Sequence, residues 1–132
     1  MPSVSRDVAL YLWDITTCAA KVIAYTQGID FDSFLADNRT YDAVLRNLEL
    51  IGEASKHVPE SFRQQHPTID WRRMAGLRDI LAHAYFGVDD PILWDLIQHK
   101  IPALAEAMAG LGMESLYDSL AQGTDGFRAD HG

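Results

Sequence analysis

The stretch Thr40-Tyr41-Asp42-Ala43-Val44-Leu45-Arg46-Asn47-Leu48-Glu49-Leu50-Ile51-Gly52-Glu53-Ala54-Ser55-Lys56-His57-Val58 decides the fold class. Tyr41, Val44, Leu45, Leu48, Ile51 and Ser55 recur at steps of three and four. That spacing lays one stripe along one face of a helix, whereas a half-buried strand would alternate every second residue. Pro59 ends the helix, because a proline pushes the residue before it out of the helical region. Gly52 sits inside the helix at a cost of about 1 kcal/mol relative to alanine. A close approach by a second helix would account for that cost.

The same period extends in both directions. Towards the N-terminus, Val8, Leu12, Ile15, Ala19, Val22 and Tyr25 mark one face of a long first helix, with Ser5 as N-cap and Gly28 as stop. A short piece around Phe31–Asp37 follows. Beyond Pro59, residues Pro59–Asp70 read as a connector with one helical turn at Glu60–Gln64. Asp70 can cap a third helix, Trp71–Tyr85, with Met74, Leu77, Leu81 and Ala84 inward and Gly87 as stop. Asp89, Asp90 and Pro91 open a fourth helix carrying Ile92, Leu93, Leu96, Ile97, Ile101 and Leu104. Pro102 should kink or split it. A weak helix over Glu114–Leu120 and a frayed end at Gly123–Gly132 complete the chain. The expected architecture is all-α: an antiparallel bundle of about four main helices over residues 1–112, then a tail over 113–132.

The chain's 132 residues, 48% of them hydrophobic, suit one domain with a real core. No uninterrupted apolar run nears the roughly 20 residues of a membrane span. The start, Met1–Asp7, lacks the basic and apolar regions of a signal peptide. Cys18 is the sole cysteine, which excludes an intramolecular disulfide, and its place among apolar helical positions reads as core filling. A cytosolic setting without membrane contact is therefore expected. The net charge of −8 argues against a broad, sequence-independent nucleic-acid binder, which gains affinity by neutralising many phosphates. It leaves room for a nuclease with a small, locally basic cleft.

Chemistry concentrates in Arg78-Asp79-Ile80-Leu81-Ala82-His83-Ala84-Tyr85. Asp79 and His83 are four apart, so they share a face, and the carboxylate can orient the ring and favour its protonated form. Arg78 and His83 are five apart, which on an ideal helix separates them by about 140°. They can converge on one phosphate through the reach of arginine, through fraying near Gly87, or by pairing with a second copy. An imidazole can exchange protons at neutral pH, and a guanidinium offers a fork of donors to phosphate oxygens. RNA cleavage asks for these two types, since the ribose hydroxyl supplies the nucleophile. Arg72 and Arg73 add local basic charge and are the candidate RNA or phosphate contacts, with Lys56 and Arg63 as possible extensions. Glu49 and Glu53 lie one turn apart and are placed to set an arginine rotamer, to face solvent or to meet a partner. Trp71 and Trp94 read as core or interface anchors. His57, His66, His83, His99 and His131 show no ligand-like spacing, so neither a metal site nor a cofactor is expected. Arg-x4-His alone occurs by chance in many proteins.

Beyond that motif, the chain resembles the HepT-like family of HEPN proteins. The family pattern Arg-x4-His-x-Tyr stands as Arg78, His83 and Tyr85 within GLRDILAHAYFGVD. The phrases RNLELIGEASKHVP, HPTIDWRRMAGLRD and VDDPILWDLIQHKIPAL also read as this family does, and the likeness spans Val8–Leu104. The resemblance implies a homodimeric helical bundle with two motifs flanking a shared cleft, and metal-independent endoribonuclease activity. It implies a toxin paired with an MntA-type nucleotidyltransferase antitoxin that transfers AMP to the motif tyrosine, here Tyr85. On that reading Arg78 and His83 are catalytic, with Asp79 orienting His83. Asparagine is frequent after the arginine in the family, and Asp79 instead places negative charge where RNA must approach. The alternative is a weakly active subunit serving mainly as partner and substrate of the nucleotidyltransferase.

Overall fold

The computed structural model describes residues 5–82 and 89–111. The elements in chain order are α1 (Arg6–Thr26), α2 (Phe31–Ala36), α3 (Asn38–His57), α4 (Glu60–Gln65), α5 (Trp71–Ala75), α6 (Leu77–Ala82), α7 (Asp90–Asp95) and α8 (Ile101–Ala109), with a π turn at Leu96–Lys100 joining the last two. Among the described residues there is no strand. The four main helical runs are α1, α3, α5 with α6, and α7 with α8; α2 and α4 are short connectors of six residues each.

Side-chain oxygens start most of these helices. Ser5 accepts from the Val8 amide, Asp30 from Ser33, Asp37 from Thr40, Asp70 from Arg73 and Asp89 from Ile92. Each satisfies an amide that has no partner inside its helix. Gly28, at φ +78°, turns the chain after α1 in a conformation that side chains rarely adopt.

Leu12, Ile15, Ala19 and Val22 of α1 and Val44, Leu48 and Ile51 of α3 are fully buried in one core. Burying each large aliphatic side chain contributes about 1.5–3 kcal/mol. Tyr11, near the start of α1, stacks on His57, the last residue of α3, so the two helices run antiparallel. Thr26 rather than Tyr25 continues the buried stripe of α1; Tyr25 is exposed, since a step of four from Val22 holds the face that a step of three leaves. By length and composition alone α1 could cross a bilayer, yet its apolar stripe packs against α3 and α8. Phe34 of α2 is buried between Tyr41 and Trp94, with ring centroids 5.2 and 5.3 Å away. Trp71 is buried as well, and its indole N–H donates to the His66 carbonyl at 2.9 Å.

Two further expectations need correction. The third helix is not continuous from Trp71: it breaks at Gly76, where the Asp79 amide bonds back only three residues, to the Gly76 carbonyl at 3.1 Å. Ile92 does not join the core and is 56% exposed. The fourth run is divided just before Pro102 by the π turn, in which the Ile101 amide bonds to the Leu96 carbonyl five residues back. Proline crowds the carbonyl four residues back, and a widened turn makes room for it. The tail over 113–132, including Glu114–Leu120, lies outside the described residues.

Gly52 sets the spacing between α3 and the next run. A Cβ there would sit 3.1 Å from the Arg78 amide nitrogen and 3.3 Å from the Met74 carbonyl oxygen. Both are backbone atoms and cannot rotate aside. Gly52→Val should therefore force α5 and α6 off α3 and destabilise the protein by about 1–3 kcal/mol. A thermal melt checks this, and an unchanged melting temperature would contradict the close approach.

Candidate active site

The break at Gly76 restarts the chain as α6, whose second residue is Arg78. There its Nη1 donates to Oε2 of Glu53 on α3 at 3.0 Å. The two side chains are 54% and 49% exposed, so the pair adds at most about 1 kcal/mol of stability. Its main effect is directional: it holds the guanidinium along α3. A guanidinium has five N–H donors, so this bond leaves others for a phosphate.

Glu53 has a second neighbour. Its Oε1 lies 3.9 Å from Nε2 of His57, one turn further along α3. The His57 ring stacks on Tyr11 of α1, centroids 5.0 Å apart and planes 18° from parallel. Glu49 is instead engaged by Arg46 at 3.7 Å, so of the two carboxylates considered from sequence it is Glu53 that meets the motif. His57 and Tyr11 were not visible as site residues. The four-residue step from Glu53 to His57 was a signal for the first, but only the packing of α1 on α3 brings in the second.

Asp79 is exposed on α6. His83 and Tyr85 lie outside the described residues. The structure does not gather the three arginines. Arg72 and Arg73 are adjacent on α5, about 100° apart around the helix. Arg72 lines a shallow groove with Glu60, Arg63 and Trp71. Arg73 sits 3.4 Å from Asp70 and borders an apolar groove with Met74, Leu77 and Lys100. Arg63 has a structural task, donating to the carbonyls of Ser55 at 2.6 Å and Val58 at 3.0 Å and so closing the end of α3.

A groove of about 420 Å³ runs between α1 and α3, lined by Tyr11, Asp14, Lys21, Leu50, Glu53 and His57 among others. Burial holds the Asp14 carboxyl above the usual carboxylate range. Cys18 also touches this groove but is 6% exposed, and burial, with Asp14 nearby, pushes its thiol up. That makes it a poor nucleophile and fits the core role read from its position. Among the described residues no group of three or more His, Cys, Asp or Glu side chains could hold a metal ion.

The far side of the motif is tied to the same helix. The Tyr41 hydroxyl donates to Oδ1 of Asp90, the first residue of α7, at 2.7 Å. Glu53 and Tyr41 are twelve positions apart on α3, and Arg78 and Asp90 are twelve positions apart in the chain. Arg78 and Asp90 are therefore both fastened to α3.

The family model described as Ribonuclease HepT-like matches residues 15–110. A Methanocaldococcus jannaschii protein provisionally named an RNase is 44% identical over 97 residues, covering 74% of this chain and 80% of that one. A Thermococcus cleftensis protein provisionally named ribonuclease HepT is 49% identical over 94 residues, covering 71% of this chain and 86% of its own. A third, from Caldanaerobacter subterraneus and also provisionally named an RNase, is 42% identical over 94 residues, covering 71% and 84%. No solved structure matches the chain. The chain belongs to the HepT-like ribonuclease family of HEPN proteins.

The tie at Asp90 makes a prediction about pH. Burial first, then the Asp90 contact, pushes the Tyr41 phenol up to about 12. Its folded value thus lies above the ordinary value near 10. The stabilisation is fully present below pH 10 and is lost as pH rises from there through about 12. Absorbance titration should show one tyrosine ionising late, and Tyr41→Phe should remove that step and cost about 1–2 kcal/mol.

Proposed function

We propose that this protein is a metal-independent endoribonuclease toxin that cuts RNA at a cleft between two copies, with Arg78 and His83 as its catalytic pair. Membership of a ribonuclease family supports RNA cleavage as the activity. The observation that carries the site assignment is Arg78, presented half-exposed on α6 and aimed by Glu53.

In this reading the ribose 2′-hydroxyl attacks the adjacent phosphorus and the 5′-oxygen leaves. His83 moves the proton that this exchange requires. The Arg78 donors meet the phosphate oxygens where negative charge builds. Asp79 orients His83, and Arg72 and Arg73 contact flanking phosphates. Two copies bring Arg78 and His83 to a common cleft, which answers the angular separation of the motif. An MntA-type nucleotidyltransferase transfers AMP to Tyr85, and the added phosphate and ring system exclude RNA by charge and by volume. A cytosolic setting follows, where both RNA and the partner are found.

A specific observation favours a second reading. Arg78 already has a carboxylate partner, Asp79 is exposed beside it, and the chain carries a net charge of −8. On that reading the protein is a feeble nuclease that serves mainly as the nucleotidyltransferase's partner and substrate.

Arg78→Ala and His83→Ala should each abolish toxicity and lower RNA cleavage on the order of 10²–10³-fold with folding intact. Chelation by EDTA should leave cleavage unchanged. A strict need for a divalent ion, or a fully toxic His83→Ala variant, would defeat the assignment. For the regulatory step, Tyr85→Phe should stay toxic when co-expressed with the nucleotidyltransferase, and its intact mass should show no added AMP. A harmless wild-type protein that still gains AMP would establish the second reading.

A further inference from the structure

We propose that His57, braced by Tyr11, is a positioning residue for Arg78 and acts through Glu53. The proposal rests on the reading of Arg78 as a phosphate-stabilising group. An exposed arginine and glutamate joined by one bond would sample many rotamers, because both side chains are long and half in water. A directed guanidinium therefore needs something to fix the carboxylate it leans on.

That second support is on the opposite side of Glu53. One carboxylate oxygen accepts from Arg78 at 3.0 Å, and the other lies 3.9 Å from the His57 imidazole. The two groups approach different oxygens, so they do not compete. At 3.9 Å the imidazole attracts as a charge when protonated; it makes no hydrogen bond at that distance. Its own rotamer is restricted by the Tyr11 stack. Tyr11 is anchored in turn: it precedes Leu12, which is fully buried in the α1–α3 core. The arrangement runs from the rigid core, through Tyr11, His57 and Glu53, to Arg78, and it joins three helices. Gly52, directly before Glu53, places the α3 and α6 backbones close enough for the last bond.

The charged groups sharing this groove with His57 are Asp14 and Lys21 of α1 and Glu53 of α3, and Arg78 of α6 joins through Glu53. Asp14 and Lys21 are of opposite sign and offset one another, so Glu53 is the group through which His57 reaches Arg78.

The test compares full-length wild type with His57→Gln, Tyr11→Leu and Glu53→Gln by two readouts. The first is the NMR Nε–Hε cross-peak of Arg78, assigned with Arg78→Lys, and its rate of exchange with water. The second is steady-state RNA cleavage, with kcat and KM separated. In wild type the cross-peak should exchange slowly. In His57→Gln exchange should quicken, and kcat should fall about threefold to fivefold, the scale of an exposed ion pair, with KM little changed. Tyr11→Leu should reproduce part of the loss, and Glu53→Gln should exceed it. A His57→Gln protein with wild-type kcat and a cross-peak that exchanges as in wild type overturns the proposal. So does a variant that melts earlier but leaves kcat and the cross-peak unmoved, since His57 would then serve stability alone. A wild-type protein that cuts no RNA would sink the ribonuclease reading, and the Arg78 cross-peak would still decide the tie.

Discussion

The contact between α3 and the backbone of α5 and α6 at Gly52 governs how everything downstream is placed. Helices packed through ordinary side chains lie 8–10 Å apart. A glycine at the crossing removes the Cβ, and here the neighbouring backbone fills that space. Two results follow from this one vacancy. The Arg78 backbone is brought beside α3, and the next residue along, Glu53, is left within reach of the Arg78 side chain. The helix-propensity cost of the glycine is local, while its benefit lies at the site.

The remaining ties extend this arrangement along the length of α3. Near its start, Tyr41 holds Asp90; near its end, Glu53 holds Arg78. Its last turn is itself closed by Arg63, whose guanidinium donates to the Val58 carbonyl and to the Ser55 carbonyl, which also accepts from the Val58 amide. None of these polar contacts is strong alone. The rigidity of α3 comes from Val44, Leu48 and Ile51 packed against α1, and the polar contacts carry that rigidity to Arg78 and Asp90.

Much of this was legible from residue order. The periods of α1 and α3, the caps at Ser5, Asp70 and Asp89, and the stop at Gly28 depend on neighbours within about four positions, which a sequence displays directly. The close approach at Gly52 was legible because a mid-helix glycine needs a reason. The break at Gly76 was not: Trp71–Tyr85 is periodic on both sides of it, and only the tight turn at Gly76 separates α5 from α6. The exposure of Ile92 and the direction of Arg63 were likewise decided by tertiary contacts. At the site, the pairing of Arg78 with a carboxylate on the second long helix was one of several readings for Glu49 and Glu53, and Arg46 resolves the choice by engaging Glu49. Tyr11 lies far from the motif in sequence, and no local pattern could assign it there.

The π turn at Leu96–Lys100 has a consequence for how this run tolerates change in length. Such a turn spends one residue more than a regular helix does on the same rotation, so it absorbs an added residue without turning the segments it joins. Leu93 before it and Ile101, Leu104 and Met108 after it are all buried in the core. Deleting a single residue within the turn would close it to a regular helix and leave the α8 stripe against α1, whereas a deletion elsewhere in the run would rotate that stripe by about 100°. The run carries its slack in one place, just before Pro102.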